Sequence, residues 1–178
     1  MVEERERYPI GTFACPENVT RDVLERWMEQ IRTLPAQIQE VVKGLDEAAL
    51  SSAHRDGGWT IPQLVHHIAD SHLNYYVRIK LALTEEQPTI RPFFEDRWAE
   101  LADSALPVEH SIQLIESLQV RLIHLLQSLT AEQRNRTFVH PEAGETTVAE
   151  CVGFYAWHGE HHLAHIKNAI KRYQARTS

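Results

Sequence analysis

The chain has 178 residues, of which 43% are hydrophobic and 24% charged; that is the size and make-up of one globular domain and excludes wholesale disorder. Seven glycines and eight prolines are too few for a loop-rich β-sandwich, and a formal net charge of −7 leaves no basic surplus to neutralise phosphates, which argues against a nucleic-acid partner. The unusual count is eleven histidines, the commonest metal ligand among side chains and the one that titrates nearest neutral pH.

Residues 1–19 read as an irregular lead-in, because Tyr8-Pro9-Ile10-Gly11 and Cys15-Pro16 are rich in breakers. The charged start has no apolar run behind it and is not a signal peptide. Nowhere do about 18 apolar residues follow one another, so no membrane span is expected. Cys15 and Cys151 form no CxxC pair, which makes a reducing cytoplasm the expected location. Thr20 is placed to cap a first helix reaching Leu45, with Val23, Leu24, Trp27, Ile31, Leu34, Ile38, Val41 and Val42 at helical spacing. Pro35 removes one backbone bond inside it and predicts a kink. Asp46 heads a short turn, Glu47–Leu50, and His54-Arg55-Asp56-Gly57-Gly58 is a loop. Thr60 caps a second helix with Pro62 in its first turn and an inner stripe of Ile61, Leu64, Val65, Ile68, His72, Tyr75, Ile79 and Leu83.

Residues 84–98 carry Pro88 and Pro92 and predict a long crossover. Val108 to Leu129 is a third amphipathic helix, residues 130–138 add a turn, and His140-Pro141-Glu142-Ala143-Gly144 is a loop. Thr146 or Thr147 caps a last helix that runs to about Ala175. No alternating pattern is long enough to predict a strand, and no repeat is visible. The expected fold is an all-α four-helix bundle over residues 1–178, an architecture that builds metal sites from side chains on facing helices.

The last helix holds four histidines within eight residues, His158, His161, His162 and His165. The pairs His158/His162 and His161/His165 are both spaced i,i+4, one turn apart on one face. Val148, Val152, Tyr155, Gly159, Ile166, Ile170 and Tyr173 define the inner face. At ~100° per residue His162 falls roughly 30° from its centre and His158 roughly 70°, whereas His165 is near 90° and His161 near 130°. The inward pair is therefore His158 and His162, and His161 should be flanking or exposed. Gly159, between them, is expected to leave room for something bulkier than a side chain. A third ligand has to come from another helix. On the second helix His72 lies near the middle of the stripe, His67 on its flank with Ser71, Asn74 and Arg78, and His66 points elsewhere as a solvated residue. The wheel leaves His72 and His67 evenly matched.

The run from Gly57 to His72, reading GGWTIPQLVHHIADSH, resembles the YfiT branch of the DinB/YfiT-like superfamily. So do Tyr8-Pro9-Ile10-Gly11, the segment Leu83–Pro92 and the segment Tyr155–Ile166; together they span nearly the whole chain. In that family a histidine follows a helix-starting tryptophan by eight residues, so the resemblance gives the third ligand role to His67, eight residues after Trp59. The family's last-helix His-x-x-x-His falls on His158 and His162. The resemblance further implies a four-helix bundle, one divalent metal ion per chain (zinc or nickel) held by His67, His158 and His162, a homodimer, and a metal-dependent hydrolase acting on a small molecule. Some relatives are thiol S-transferases that use bacillithiol or mycothiol.

Three neutral imidazoles leave a divalent ion its full charge and an open position, the pattern of a catalytic site. A hydrolase would use the ion to lower the pKa of bound water towards about 7 and to polarise a carbonyl. A thiol S-transferase would use the same ligands to favour a thiolate, with a low-molecular-weight thiol as partner. A third reading is a stress-associated bundle that binds metal without turnover. The lettering His-Gly-Glu-His-His excludes an HExxH protease, and Glu160 lies on the outer face. His72 is the candidate for proton transfer. Asn74 and Arg78 share the face of His67 and could hold an anionic substrate. Phe93, Phe94 and Trp98 are candidates for burial against a second subunit. Cys151, two turns before His158, is about 10.5 Å from it along the helix and too far for the same ion.

Overall fold

The structure is a computed structural model and describes residues 2–177. Three of the four long helices start where threonine and first-turn side chains engage the free backbone N–H groups. Thr20 Oγ1 accepts from the Val23 N–H at 3.4 Å at the head of α2, Arg21–Val42. Gln63 Oε1 accepts from the Thr60 N–H at 3.0 Å at the head of α4, Ile61–Thr84, where Pro62 costs nothing because a first-turn N–H has no helical partner. Of the two candidate threonines, Thr147 heads α8, Val148–Thr177: its Oγ1 accepts from the Glu150 N–H at 3.1 Å and its own N–H donates to Glu150 Oε2 at 2.8 Å. The remaining long helix, α6, spans Val108–Ser128. Helix α2 continues through Pro35 and stops three residues before Leu45, because Gly44 takes φ +75 and turns the chain out of the helix. Among the described residues no helix is long and apolar enough to cross a membrane.

The four long helices close a ring in which α2 packs on α8 and α6, and α4 packs on α6 and α8. The histidine-bearing helices, α4 and α8, are therefore neighbours. Apolar residues three and four apart on each helix meet in two clusters stacked along the bundle. One is built around Met28, Ile31, Ile79, Leu122, Val152 and Tyr155, the other around Leu34, Ile38, Leu64, Ile68, Ile115 and Leu163. Each side chain so buried contributes about 1.5–3 kcal/mol relative to exposure, and nearly all of this core is independent of the histidines.

Two expectations fail. The lead-in is not wholly irregular: Val2–Arg7 forms a short helix, α1. It docks on α8, where the Glu6 carbonyl accepts from His165 Nε2 at 3.1 Å and the Glu6 carboxylate pairs with Arg172 at 3.2 Å. The second failure is the absence of strands. After the short helices α3 (Glu47–Leu50), α5 (Glu95–Trp98) and α7 (Ala131–Arg134), the chain forms an antiparallel hairpin, β1 Thr137–His140 with β2 Gly144–Thr147. Four residues per strand are too few for alternation to stand out. Tertiary contact supports the hairpin: the Val139 N–H donates to the Pro88 carbonyl at 2.9 Å and the Ile90 N–H to the Val139 carbonyl at 3.0 Å. These bonds also tie the long crossover down over one side of the bundle.

Candidate metal centre

His67 projects from α4 and His158 and His162 from α8. One ring nitrogen of each lies within 4.8 Å of the other two, and the Nε2 atoms of His67 and His158 are 3.1 Å apart. Trp59, just before α4, packs its ring 4.6 Å from His67 and stacks 6.2 Å from His162, so the residue that starts the helix also walls the site. Ser71 Oγ lies 3.3 Å from His67 Nε2.

Burial sets the protonation state. Loss of hydration pushes the His67 pKa down to about 4, and the neighbouring His161 adds to the shift. His158 and His162 are driven well below the ordinary histidine range, by burial first and by the other imidazoles second. All three are neutral at pH 7, and each has a lone pair to give. Nitrogens bound tetrahedrally at 2.0–2.1 Å from one ion are about 3.4 Å apart. The three donors, of the right type, charge and proximity, fit a divalent ion.

A second trio, His161, His162 and His165, is equally close together, but its chemistry differs. The Glu6 carbonyl can only accept, so the proton of neutral His165 sits on Nε2. Its Nδ1 then has the lone pair, and it faces His162 Nδ1 at 3.4 Å. That contact is a hydrogen bond when His162 carries its proton on Nδ1, which leaves Nε2 as the single lone pair of His162. A neutral imidazole cannot serve both trios.

The cleft above His67, His158 and His162 has a volume of about 1110 Å³. Phe13, Tyr75, Phe93, Phe154 and Trp157 form its walls, and the hairpin supplies His140, Glu145 and Thr146 to its rim. The contributions of Phe13 and of the hairpin were hidden in the sequence, since nothing local marks them as neighbours of the histidines. Arg78, on the His67 face as expected, lines the cleft, while Asn74 spends its amide on the Asp70 carbonyl at 2.9 Å. Cys151 is buried in the core and also lines the cleft.

Several other positions differ from expectation. His161 is only 6% exposed, because Trp157 stacks on it at 4.6 Å and Tyr8 of the lead-in covers it at 6.0 Å. His66 is buried rather than solvated, with Nδ1 2.7 Å from Ser111 Oγ and Nε2 3.0 Å from the Leu106 carbonyl. Gly159 leaves no room for a ligand: a Cβ there would sit 2.4 Å from Leu34 Cδ2, so the glycine serves the close approach of α2 to α8. His72 is fully buried behind His158, its ring 4.0 Å from that of Tyr155 and its Nδ1 3.5 Å from Gln119 Nε2, and it does not line the cleft. Burial holds its pKa at about 3. That position suits a core residue rather than a group that touches substrate.

A four-helix bundle that turns three neutral imidazoles from two adjacent helices onto the floor of an open cleft has the design of a histidine-ligated metalloprotein. Residues 30–166 match the model of the DinB superfamily, and the chain belongs to that superfamily. Relatives in Bacillus cereus (strain 03BB102) and Bacillus thuringiensis subsp. konkukian (strain 97-27) are each 49% identical over 93% of this chain and 96% of their own, and both bear the name "Putative metal-dependent hydrolase". Among solved structures, YfiT from Bacillus subtilis, described as "a probable metal-dependent hydrolase with an unusual four-helix bundle topology", superposes with a TM-score of 0.91 at 39% identity, covering 94% of this chain and 97% of that one. The four-helix bundle protein TT2238 is similar in fold alone, with a TM-score of 0.56 at 18% identity over 85% of this chain and 98% of its own.

Proposed function

We propose that the protein is a metal-dependent hydrolase of small molecules, with one zinc or nickel ion per chain held by His67, His158 and His162. The observation that carries this reading is the meeting of three buried, neutral imidazoles at the floor of a cleft large enough for a substrate. A divalent ion there supplies Lewis acidity and lowers the pKa of a coordinated water towards about 7. The protein's own share is to hold the three lone pairs convergent, to keep them unprotonated by burial, and to wall the reacting bond with Trp59, Tyr75 and Phe93. The names of the relatives support the reaction class.

The choice between zinc and nickel follows availability, since imidazole suits both. We further propose a homodimer, because Phe94 and Leu101 are 67% and 55% exposed beside Trp98; sedimentation at micromolar concentration should give twice the monomer mass of 20.5 kDa, and a monomer rejects it. The hydrolase reading is tested by screening esters, amides and thiol–electrophile pairs with metal-loaded protein. Ester or amide turnover that is abolished by chelation and restored by zinc or nickel supports it. Turnover of a thiol–electrophile pair alone replaces it with the S-transferase reading, and no turnover with a substrate-free metal bundle.

A further inference from the structure

Arg78 follows His67 by eleven residues on α4, three turns and ~16 Å along the axis, so the two side chains share one helix face. It lines the same cleft and is 9% exposed. Among the described residues its guanidinium makes no hydrogen bond and no ion pair, and its Nε is buried without a partner. Other arginines of the chain are used: Arg136 donates to the Ala82 and Glu85 carbonyls and pairs with Glu86, and Arg172 pairs with Glu6 and Asp56. Nor do the acids around the cleft reach Arg78. Glu150 spends Oε2 on the N–H and Oγ1 of Thr147, and Glu95, Asp96, Glu142 and Glu145 stay exposed at the rim.

Removing a guanidinium from water without a counter-charge is costly, and arginine cannot escape by losing its proton. The Tyr75 ring lies beside it, with its centroid 5.3 Å from Arg78 Cζ. The charge is felt across the cleft: it opposes the upward shifts of Tyr75 and Cys151 and helps to lower His140. Its planar fork matches the two oxygens of a carboxylate or phosphate.

We propose that Arg78 is the receptor for an oxyanion on the substrate, so that the cleft takes small molecules carrying a carboxylate or phosphate at one end and the reacting bond at the other. The proposal deepens the hydrolase reading and rests on it for the reacting bond only. Tyr75 sets the scale: its ring centroid is 5.3 Å from Arg78 Cζ and 5.6 Å from the His158 ring, so cation and metal ligand lie within about 11 Å of each other. The acidic rim opposes highly charged anions, which favours a carboxylate over a phosphate.

Benzoate and phenyl phosphate, with neutral benzamide as control, are titrated by calorimetry into chelated wild-type protein and into R78K and R78Q. Metal-free protein keeps anion binding at Arg78 separate from binding to the ion. Benzoate should bind wild type about 10- to 100-fold more tightly than R78Q, with R78K between them, phenyl phosphate weaker than benzoate, and benzamide indifferent to the substitution. R78Q should also melt higher than wild type without ligand, because an unpaired buried charge has gone. Equal benzoate affinity in wild type and R78Q, or no benzoate binding to wild type, overturns the proposal; phenyl phosphate binding better than benzoate overturns the preference for a carboxylate. If R78Q does not fold, the comparison of wild type with R78K decides by the same criterion. Benzoate binding that depends on Arg78 in a protein that hydrolyses no ester or amide sinks the hydrolase reading and leaves the oxyanion site standing.

Discussion

Two trios of histidine share His162 on α8, one completed from α4 by His67 and the other by His161 and His165 of α8 itself, yet their nitrogens have different occupations. In the first, His67, His158 and His162 converge at the floor of the cleft. In the second, His165 is committed to the Glu6 carbonyl, and its Nδ1 faces Nδ1 of His162 at 3.4 Å. Spacing and burial are alike in the two, with His158 and His161 each less than a tenth exposed. What separates them is the neighbour: α4 brings a third imidazole to one pair, and α1 brings a backbone carbonyl to the other. A cluster of histidines becomes a metal site only when the lone pairs remain uncommitted.

The largest expected effect follows from the burial of imidazoles on α4 and α8. Folded His67 and His72 have pKa values of about 4 and about 3, against 6.5 for the free side chain. Between those values the unfolded chain binds more protons, so stability falls as the pH drops below 6.5 and is unaffected by these groups above it. Each contributes about 1.4 kcal/mol per pH unit, and His158 and His162 act in the same direction. The metal-free protein should lose at least ~4 kcal/mol between pH 6.5 and pH 5, read by urea unfolding at both values. A flat profile would mean that the imidazoles are hydrated.

The comparison itself breaks or holds on single alanines. Replacing His67, His158 or His162 should weaken metal binding by more than ~100-fold, since even outer partners of a ligand are worth 10–100-fold. His161→Ala and His66→Ala should keep the ion. Competition with a chromophoric chelator measures both groups, and equal loss from His158→Ala and His161→Ala would reverse the assignment of the two trios.

A finer test concerns the hydrogen bond between them. His165→Ala removes the acceptor that holds His162 in its Nδ1–H form, and affinity should fall about 10- to 100-fold without loss of stoichiometry. Nitrogen-15 spectra of the wild type should show the Nδ1–H tautomer at His162; finding Nε2–H there in the metal-free protein excludes the relay. The smallest effect lies farthest out. Arg172→Gln breaks the half-buried pair with Glu6 and the pair with exposed Asp56, worth about 1 kcal/mol. Amide exchange at Tyr8, bonded to the Glu4 carbonyl at 2.8 Å, should quicken while the bundle amides stay protected.

Much of this arrangement could be read along the chain. The four long helices, the threonine caps of α2, α4 and α8 and the inward pair His158/His162 follow from periods of three and four residues and from capping chemistry, both of which act within one or two turns. His67 required more: periodicity left it level with His72, and the spacing from Trp59 singled it out by resemblance. The hairpin was invisible because its strands are four residues long and its partner is the crossover near Pro88, about fifty residues away.

Local order thus determines what each segment becomes and which face it hides. Contacts between distant segments determine what the hidden polar groups meet. His161 lies on the flank of its helix by angle and is buried all the same, because Tyr8 comes from the far end of the chain to cover it. Gly159 looks like space for a ligand until Leu34 of α2 fills it. Arg78 can be placed on the right face by counting, but its isolation among carboxylates that do not reach it exists only once the crossover, the hairpin and α8 have closed around it. Periodicity is a property of consecutive residues, whereas the partner of a buried charge or lone pair is chosen by packing, and packing joins residues that no spacing connects.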